Sequence, residues 1–244
     1  MLGKSQAKYI QSLGQKKVRD VDGVFVAEGP KIIAELLASA DANILQLYAL
    51  HDWIAANSND CNGIEIIEIG ENDLTKISQL ATPNKVLAVV KKQEIPGHLA
   101  TKGTISLVLD TIQDPGNLGT IIRIADWFDI KQIICSKDCA DMYNPKEVQS
   151  TMGSIVRVKM LYTDLGSWLV EQKDVFIYAA ALEGQNVTAI KKITEGLIVI
   201  GNESKGISAE IFEQVDVKIT IPRIGKAESL NAAVATGIIL SHVV

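Results

Sequence analysis

The stretch Ile105-Ser106-Leu107-Val108-Leu109-Asp110-Thr111-Ile112-Gln113-Asp114-Pro115-Gly116-Asn117-Leu118-Gly119 decides how this chain folds. Its first five residues are almost wholly apolar, as expected of a parallel strand covered by helices on both faces. Pro115, Gly116 and Gly119 then shape a tight turn, and Asn117 is suited to cap a helix over 117–128. In that helix Leu118, Ile121, Ile122, Ala125 and Phe128 form one apolar stripe. A plain strand–helix turn accounts for the glycines, the proline and Asn117. It does not account for Arg123, which lies off the stripe among Ile121, Ile122 and Ile124. A guanidinium stays charged, so burying it would demand an acidic, phosphate or ligand partner.

The same alternation extends in both directions. Downstream, strands are expected at 132–135, 156–160, 175–180, 197–201 and 217–221, and an apolar helix over 230–241. Upstream, a polar helix over 5–19 precedes a strand at 24–27 and a helix over 30–38, with Pro30 suited to its first turn. Further strands are expected at 44–50, 64–69 and 86–90, with helices at 51–57 and 73–80. Lys91-Lys92-Gln93-Glu94-Ile95-Pro96-Gly97 is the best linker. The expectation is two α/β domains, a small one over 1–92 and a larger one with a largely parallel sheet over 104–244, joined by 93–103.

The 244 residues are 47% hydrophobic and 22% charged, an ordinary globular balance that excludes disordered, collagen-like and disulfide-scaffold classes. No apolar run approaches the roughly 20 residues of a membrane span, and no signal-peptide core follows Lys4 and Lys8. Three cysteines, an odd count, suit free thiols in a reducing cytoplasm. The net charge of −5 gives no global basic footprint. Residues 1–19 nevertheless carry Lys4, Lys8, Lys16, Lys17 and Arg19 and no acid. A solvated helix face explains that cluster as readily as a phosphate contact does.

In parallel α/β sheets ligands lie at the carboxyl ends of strands, where loops lead into helices. Two further loops there are unusual. Gly201-Asn202-Glu203-Ser204-Lys205-Gly206-Ile207-Ser208 brackets an acid between glycines that allow close backbone approach, and Ser208 reads as the next helix cap. It is neither a dinucleotide fingerprint nor a phosphate loop, so a plain glycine-rich turn remains an equal alternative. Ile221-Pro222-Arg223-Ile224-Gly225-Lys226-Ala227-Glu228-Ser229-Leu230-Asn231 runs into the last helix, with Ser229 a natural cap and Asn231 either a structural bridge or a ligand contact. Cys135 and Cys139, with Cys61 and the scattered His51, His98 and His242, lack the spacing of a zinc site. Serine-hydrolase and zincin motifs are absent.

Taken together, Asp114-Pro115-Gly116-Asn117-Leu118-Gly119-Thr120-Ile121-Ile122-Arg123, the Gly201–Gly206 loop and Ile221-Pro222 with Glu228-Ser229-Leu230-Asn231 resemble the three motifs of the SpoU (TrmH) family of RNA methyltransferases, in the SPOUT superfamily. Gln149-Ser150-Thr151-Met152-Gly153-Ser154 is similar to a small-residue stretch of that family, and the resemblance covers about 104–244. Residues 16–19 and 23–29 resemble, more loosely, the opening of the small α/β substrate-binding domain that precedes the catalytic domain in many members. The loops depart from the family's usual pattern at Arg223, where an apolar residue is commoner, and at Ala232-Ala233 after Asn231.

The resemblance implies methyl transfer from S-adenosylmethionine to a ribose 2′-hydroxyl of structured RNA, ribosomal rather than transfer RNA. It implies a C-terminal trefoil-knotted domain, a homodimer formed through it, and a cytoplasmic enzyme with no membrane partner. Asn117, Arg123, Glu203, Ser229 and Asn231 would form the reaction centre; Gly201, Asn202, Ile221, Leu230 and Leu182 would line the cofactor pocket. Lys16, Lys17, Arg19 and Arg123 would meet RNA phosphates. An arginine holds its proton far above neutral pH, so it is a poor base. Arg123 is therefore expected to align an RNA phosphate and stabilise developing alkoxide charge. The rival readings are a nucleotide-binding enzyme of another kind, such as a dehydrogenase, a non-catalytic RNA-binding protein that retains the fold, and methylation of a base instead of a ribose.

Overall fold

A computed structural model describes residues 2–244. In chain order the elements are α1 (Lys4–Ser12), α2 (Lys16–Asp22), β1 (Val24–Glu28), α3 (Pro30–Ala38), β2 (Ile44–Ala49), α4 (His51–Asn57), β3 (Glu65–Glu68), α5 (Glu71–Ile77) and β4 (Val86–Lys91). Then follow β5 (Ile105–Leu109), α6 (Pro115–Trp127), β6 (Gln132–Ser136), α7 (Pro145–Thr151), β7 (Lys159–Thr163), α8 (Leu165–Val170), β8 (Ile177–Asn186), β9 (Gly196–Ile200), α9 (Ala209–Phe212), β10 (Val217–Thr220) and α10 (Ala232–Val243). They form two compact units, one of residues 1–94 with 141–157, the other of 95–140 with 158–244. The segment holding α7 thus belongs by packing to the first unit.

The first unit has a four-stranded sheet in the order β1-β4-β2-β3, antiparallel except for the β2–β3 pair. One face of β1 sends Val24 and Val26 into a core with Ile10, Leu13, Leu74, Ile77, Leu87 and Val89. Phe25 alternates to the other face and meets the Tyr143 ring at 4.8 Å. The single helix expected over 5–19 is two. It breaks after Ser12, and Arg19, from α2, donates to the Leu13 and Gly14 carbonyls, each at 2.8 Å. Those are end-of-helix carbonyls with no partner inside α1. The same guanidinium meets Asp141 Oδ2 at 2.7 Å, and only 2% of its side chain is exposed. Gly23, at φ 66°, ends α2 in the left-handed conformation that glycine adopts without strain.

The second unit is a six-stranded, wholly parallel sheet in the order β10-β8-β9-β5-β6-β7. β5 and β9 are buried along their whole length, as the apolar run from Ile105 requires. Val108, Ile134, Ala179, Leu197 and Val199 pack against Leu165, Trp168 and Leu169 of α8 and Ile211 of α9.

Three expectations shift. Residues 154–156 form a buried 3-10 turn, and the strand begins at Lys159, where its ladder with β6 starts. A buried turn and a buried strand carry the same apolar signature. β8 runs on to Asn186 because its pairing with β10 jumps from Ala179 opposite Lys218 to Gln185 opposite Ile219. A Cβ on Gly184 would lie 2.5 Å from the Lys218 carbonyl oxygen, so the residue at that approach must lack a side chain. The short α7 and α8, seven and six residues long, are too brief for helical periodicity to register, whereas the helix expected after Ser208 is present as the four-residue α9.

Candidate functional site

The site lies in the second unit, at the carboxyl ends of β5, β9 and β10. β5 and β9 pair in register up to Leu109 and Ile200, and Asp110 N–H extends that ladder to the Ile200 carbonyl at 2.9 Å. The first two loops therefore leave the sheet side by side. Asp114, not Asn117, caps α6, its Oδ1 accepting the Asn117 N–H at 2.9 Å. Asn117 is thereby placed in the first helical turn with its amide free for other partners.

Asn117 uses both ends of that amide. Its Nδ2 donates to Glu203 Oε1, and its Oδ1 accepts from Asn231 Nδ2 at 2.7 Å. Asn231 is the true cap of α10, in place of Ser229. Its Oδ1 accepts the N–H groups of Ala233 and Val234 at 3.0 and 3.2 Å. The direction of every bond follows. With Asn231 Oδ1 committed to the helix, only its amide nitrogen can face Asn117, and only the Asn117 nitrogen can then face Glu203. The chain of amides runs from the N-terminus of α10 to a half-buried carboxylate, a polarised arrangement in which each bond strengthens the next. It joins one residue from each of the three loops.

The second loop closes on itself. Asn202 and Gly206 exchange backbone hydrogen bonds at 3.0 and 2.8 Å, and Asn202 Oδ1 accepts the Ser204 and Lys205 N–H groups at 2.9 and 3.1 Å. A Cβ on Gly201 would fall 2.4–2.6 Å from the backbone of Gly206 and Ile207, so this wall presents bare backbone. The third loop is open and exposed from Pro222 to Asn231, and Arg223 Nη1 reaches back to the Ala227 carbonyl at 3.2 Å.

The other expected residues stand apart from the amide chain. Arg123 is exposed on α6, on one stripe with Thr120 and Trp127, and makes no hydrogen bond or ion pair with any described residue. It is not buried, so the condition for an internal partner does not arise; its guanidinium faces solvent. It lies six residues beyond Asn117, about 9 Å along the helix axis. Ser229 and Leu230 are exposed and Ile221 is half-buried. Leu182 is 77% exposed, its carbonyl held by Thr220 Oγ at 2.9 Å. In the first unit Lys16 and Lys17 are exposed, but the Arg19 charge is spent on Leu13, Gly14 and Asp141. Arg19 is a structural residue, not a phosphate contact.

Two residues quoted in the first loop without a role prove important. Asp110 is buried, and Thr111 adopts φ 59°. The acid ending an apolar strand is visible in sequence, whereas the backbone sign at Thr111 is not. Cys139 supports the same loop, its thiol donating to the Leu109 carbonyl and accepting the Ile112 N–H, both at 3.3 Å.

Residues 104–241 match the SpoU rRNA Methylase family, and residues 4–88 match the MRM3-like substrate binding domain. The chain is 32% identical over 235 residues to the Bacillus subtilis 23S rRNA (guanosine(2553)-2′-O)-methyltransferase RlmP, covering 95% of this chain and 93% of that one. Among solved structures it is similar to a TrmH-family protein of Porphyromonas gingivalis, with a TM-score of 0.88, 33% identity and coverage of 99% and 98%. It is also similar to an AdoMet-bound rRNA methyltransferase of Sinorhizobium meliloti, with a TM-score of 0.86, 28% identity and coverage of 99% and 95%.

Proposed function

The chain belongs to the SpoU rRNA methylase family, an RNA methyltransferase family, and from that premise we propose that it transfers the methyl group of S-adenosylmethionine to a ribose 2′-hydroxyl of ribosomal RNA. The observation that carries this reading is the hydrogen-bonded chain Asn231–Asn117–Glu203 across all three loops. A dehydrogenase has no use for it, and a protein that only held RNA would not need a carboxylate oriented by two amides.

The residues fit the cofactor. Leu182, Ile221 and Leu230 offer aliphatic side chains left uncovered by the fold, the company a purine face seeks. Among the described residues, the backbone N–H groups of 221 and 223–230 have no backbone partner and are free to read a ring edge. Gly201 and Asn202 would complete the wall with backbone groups. Bound there, S-adenosylmethionine would supply a methyl carbon open to in-line attack by an oxygen, with the neutral thioether S-adenosylhomocysteine as the leaving group.

The remaining steps belong to the chain. Arg123, exposed and unpaired among the described residues, grips an RNA phosphate in a two-pronged contact and stabilises alkoxide charge as the 2′-hydroxyl passes its proton to solvent water. Asn117 holds Glu203 so that its second oxygen faces the substrate. Asn231 fixes Asn117, and the Ser229 hydroxyl is free to bind the ribose. Aligning the two reactants supplies much of the acceleration. Lys16 and Lys17, with Arg123, meet RNA phosphates.

A homodimer through the second unit is supported by the outer surface of its two packed helices. Trp127 of α6 is 84% exposed, and Val234 of α10 is half exposed, beside the partly covered Ile124 and Ile238. No helix among the described residues is long and apolar enough to cross a membrane; a cytoplasmic site of action accords with three free thiols. Calorimetry tests the cofactor assignment. S-adenosylmethionine should bind and NAD should not, whereas binding of NAD alone would overturn the reading.

A further inference from the structure

The first two loops meet at a corner to which none of these roles is attached. Asp110 follows β5 and is only 4% exposed, yet it carries a carboxylate. Its Oδ2 accepts the Ser208 N–H at 2.7 Å and its Oδ1 accepts the Thr111 hydroxyl at 3.0 Å. An ionised carboxylate is an acceptor only, and bonds to it are shorter and stronger than bonds between neutral groups.

Thr111 carries the second observation. A β-branched residue at φ 59° is a backbone outlier, and such conformations persist only where the surroundings impose them. Here the Thr111 N–H donates to Ser136 Oγ and its carbonyl accepts Asn202 Nδ2, each at 2.9 Å. Thr111 thus grips the start of the second loop, at Asn202. Asp110, its neighbour, grips the end, at Ser208. Between those anchors lie Glu203, which meets Asn117, and the closed Asn202–Gly206 turn.

We propose that Asp110 and Thr111 are positioning residues that clamp both ends of the 202–208 loop, setting the cofactor wall and Glu203 in register with Asn117. The inference rests on the reading of that loop as part of the S-adenosylmethionine pocket. Neither residue needs to touch a substrate. Burial of the carboxylate without such a role would be a poor solution, since an apolar residue would serve the core better.

The test is calorimetric binding of S-adenosylmethionine to the full chain, with thermal melting as a check on folding. Asp110→Asn weakens binding about tenfold. Ser208→Pro, tolerated at the observed φ of −61°, removes the N–H donor along with a hydroxyl that makes no cap hydrogen bond, and weakens binding to a similar degree. The double variant should fall well short of the product of the two single effects, because both act on the Ser208 N–H contact with residue 110. In steady state the KM for S-adenosylmethionine rises while that for RNA does not, a split that general loss of fold would not produce. Should Asp110→Asn fail to fold, Ser208→Pro alone carries the measurement. Gly201→Ala is the control for the pocket itself and should abolish binding. Wild-type affinity in Asp110→Asn or Ser208→Pro, with binding lost in Gly201→Ala, overturns the clamp. Losses that multiply in the double variant overturn it as well. Wild-type affinity in all three overturns the loop reading and the clamp with it.

Discussion

Arg123 is the residue on which the proposed chemistry turns, and its exposure sharpens what it can do. A solvent-facing guanidinium keeps its charge and its planar fork, so its contribution is geometric and electrostatic, not basic. Arg123→Lys retains the charge and loses the fork. Single-turnover methyl transfer is expected to fall by about 100-fold in that variant, the scale of losing one transition-state donor. A near-normal rate would rule out the two-pronged contact. A second residue, Glu28, gives a pH test of the first unit. Burial raises its carboxyl pKa above the usual 4.5, with the Ser78 hydroxyl and Gln79 N–H pulling the other way. The folded state therefore binds this proton more tightly than the unfolded chain. The resulting stability is fully present below pH 4.5 and is lost as pH rises through the raised folded value. Glu28→Gln should remove that slope; urea midpoints taken just above pH 4.5 with the same slope in both proteins would contradict it.

At the scale of elements, the α1–α2 joint shows where periodicity misleads. A basic, polar stretch reads as one helix with a solvated face, and the break appears only when Arg19 is seen capping the Leu13 and Gly14 carbonyls. Arg19→Met would strip those carbonyls of a donor and leave Asp141 without its ion-pair partner. The expected cost is about 3 kcal/mol of unfolding free energy by urea titration, at the low end for breaking a buried pair. A change below about 0.5 kcal/mol, ordinary for surface sites, would show that the joint stands without it. The long elements were legible because an apolar run or stripe repeats often enough to register, as in β5, β9 and α6. The caps were not. Ser229 and Asn117 are good capping residues by type, but Asn231 and Asp114 hold the positions, because the geometry at each loop exit decides among several polar neighbours. The strained Thr111 backbone has no trace in residue type, since threonine is among the least suited to a positive φ.

At the scale of the whole molecule, the net charge of −5 bounds how RNA is held, not whether it is held. Residues 1–100 carry ten basic and twelve acidic side chains, and 101–244 carry fourteen and seventeen, so neither half is basic. In the proposed reading, binding draws on local charges such as the exposed Lys16 and Lys17, and on RNA shape. With few phosphates neutralised, the dependence of affinity on salt should be shallow. The double change Lys16→Ala and Lys17→Ala should lower the slope of log K against log salt by roughly 1.5, at about 0.7–0.9 per contact. An unchanged slope would remove these lysines from the interface. The threading of the knot that the resemblance implies has no counterpart in residue periodicity, which reports elements and not the order in which loops cross. The three motifs carried the family across that gap.

The most direct test of the central claim uses methyl-labelled S-adenosylmethionine, the full chain and ribosomal RNA, followed by alkaline hydrolysis of the product. A methylated 2′-oxygen cannot attack the neighbouring phosphate, so the label should appear in alkali-resistant dinucleotides, and the Asn117→Ala variant should yield about 100-fold less of it. Label recovered only in mononucleotides would place the methyl group on a base and contradict the account.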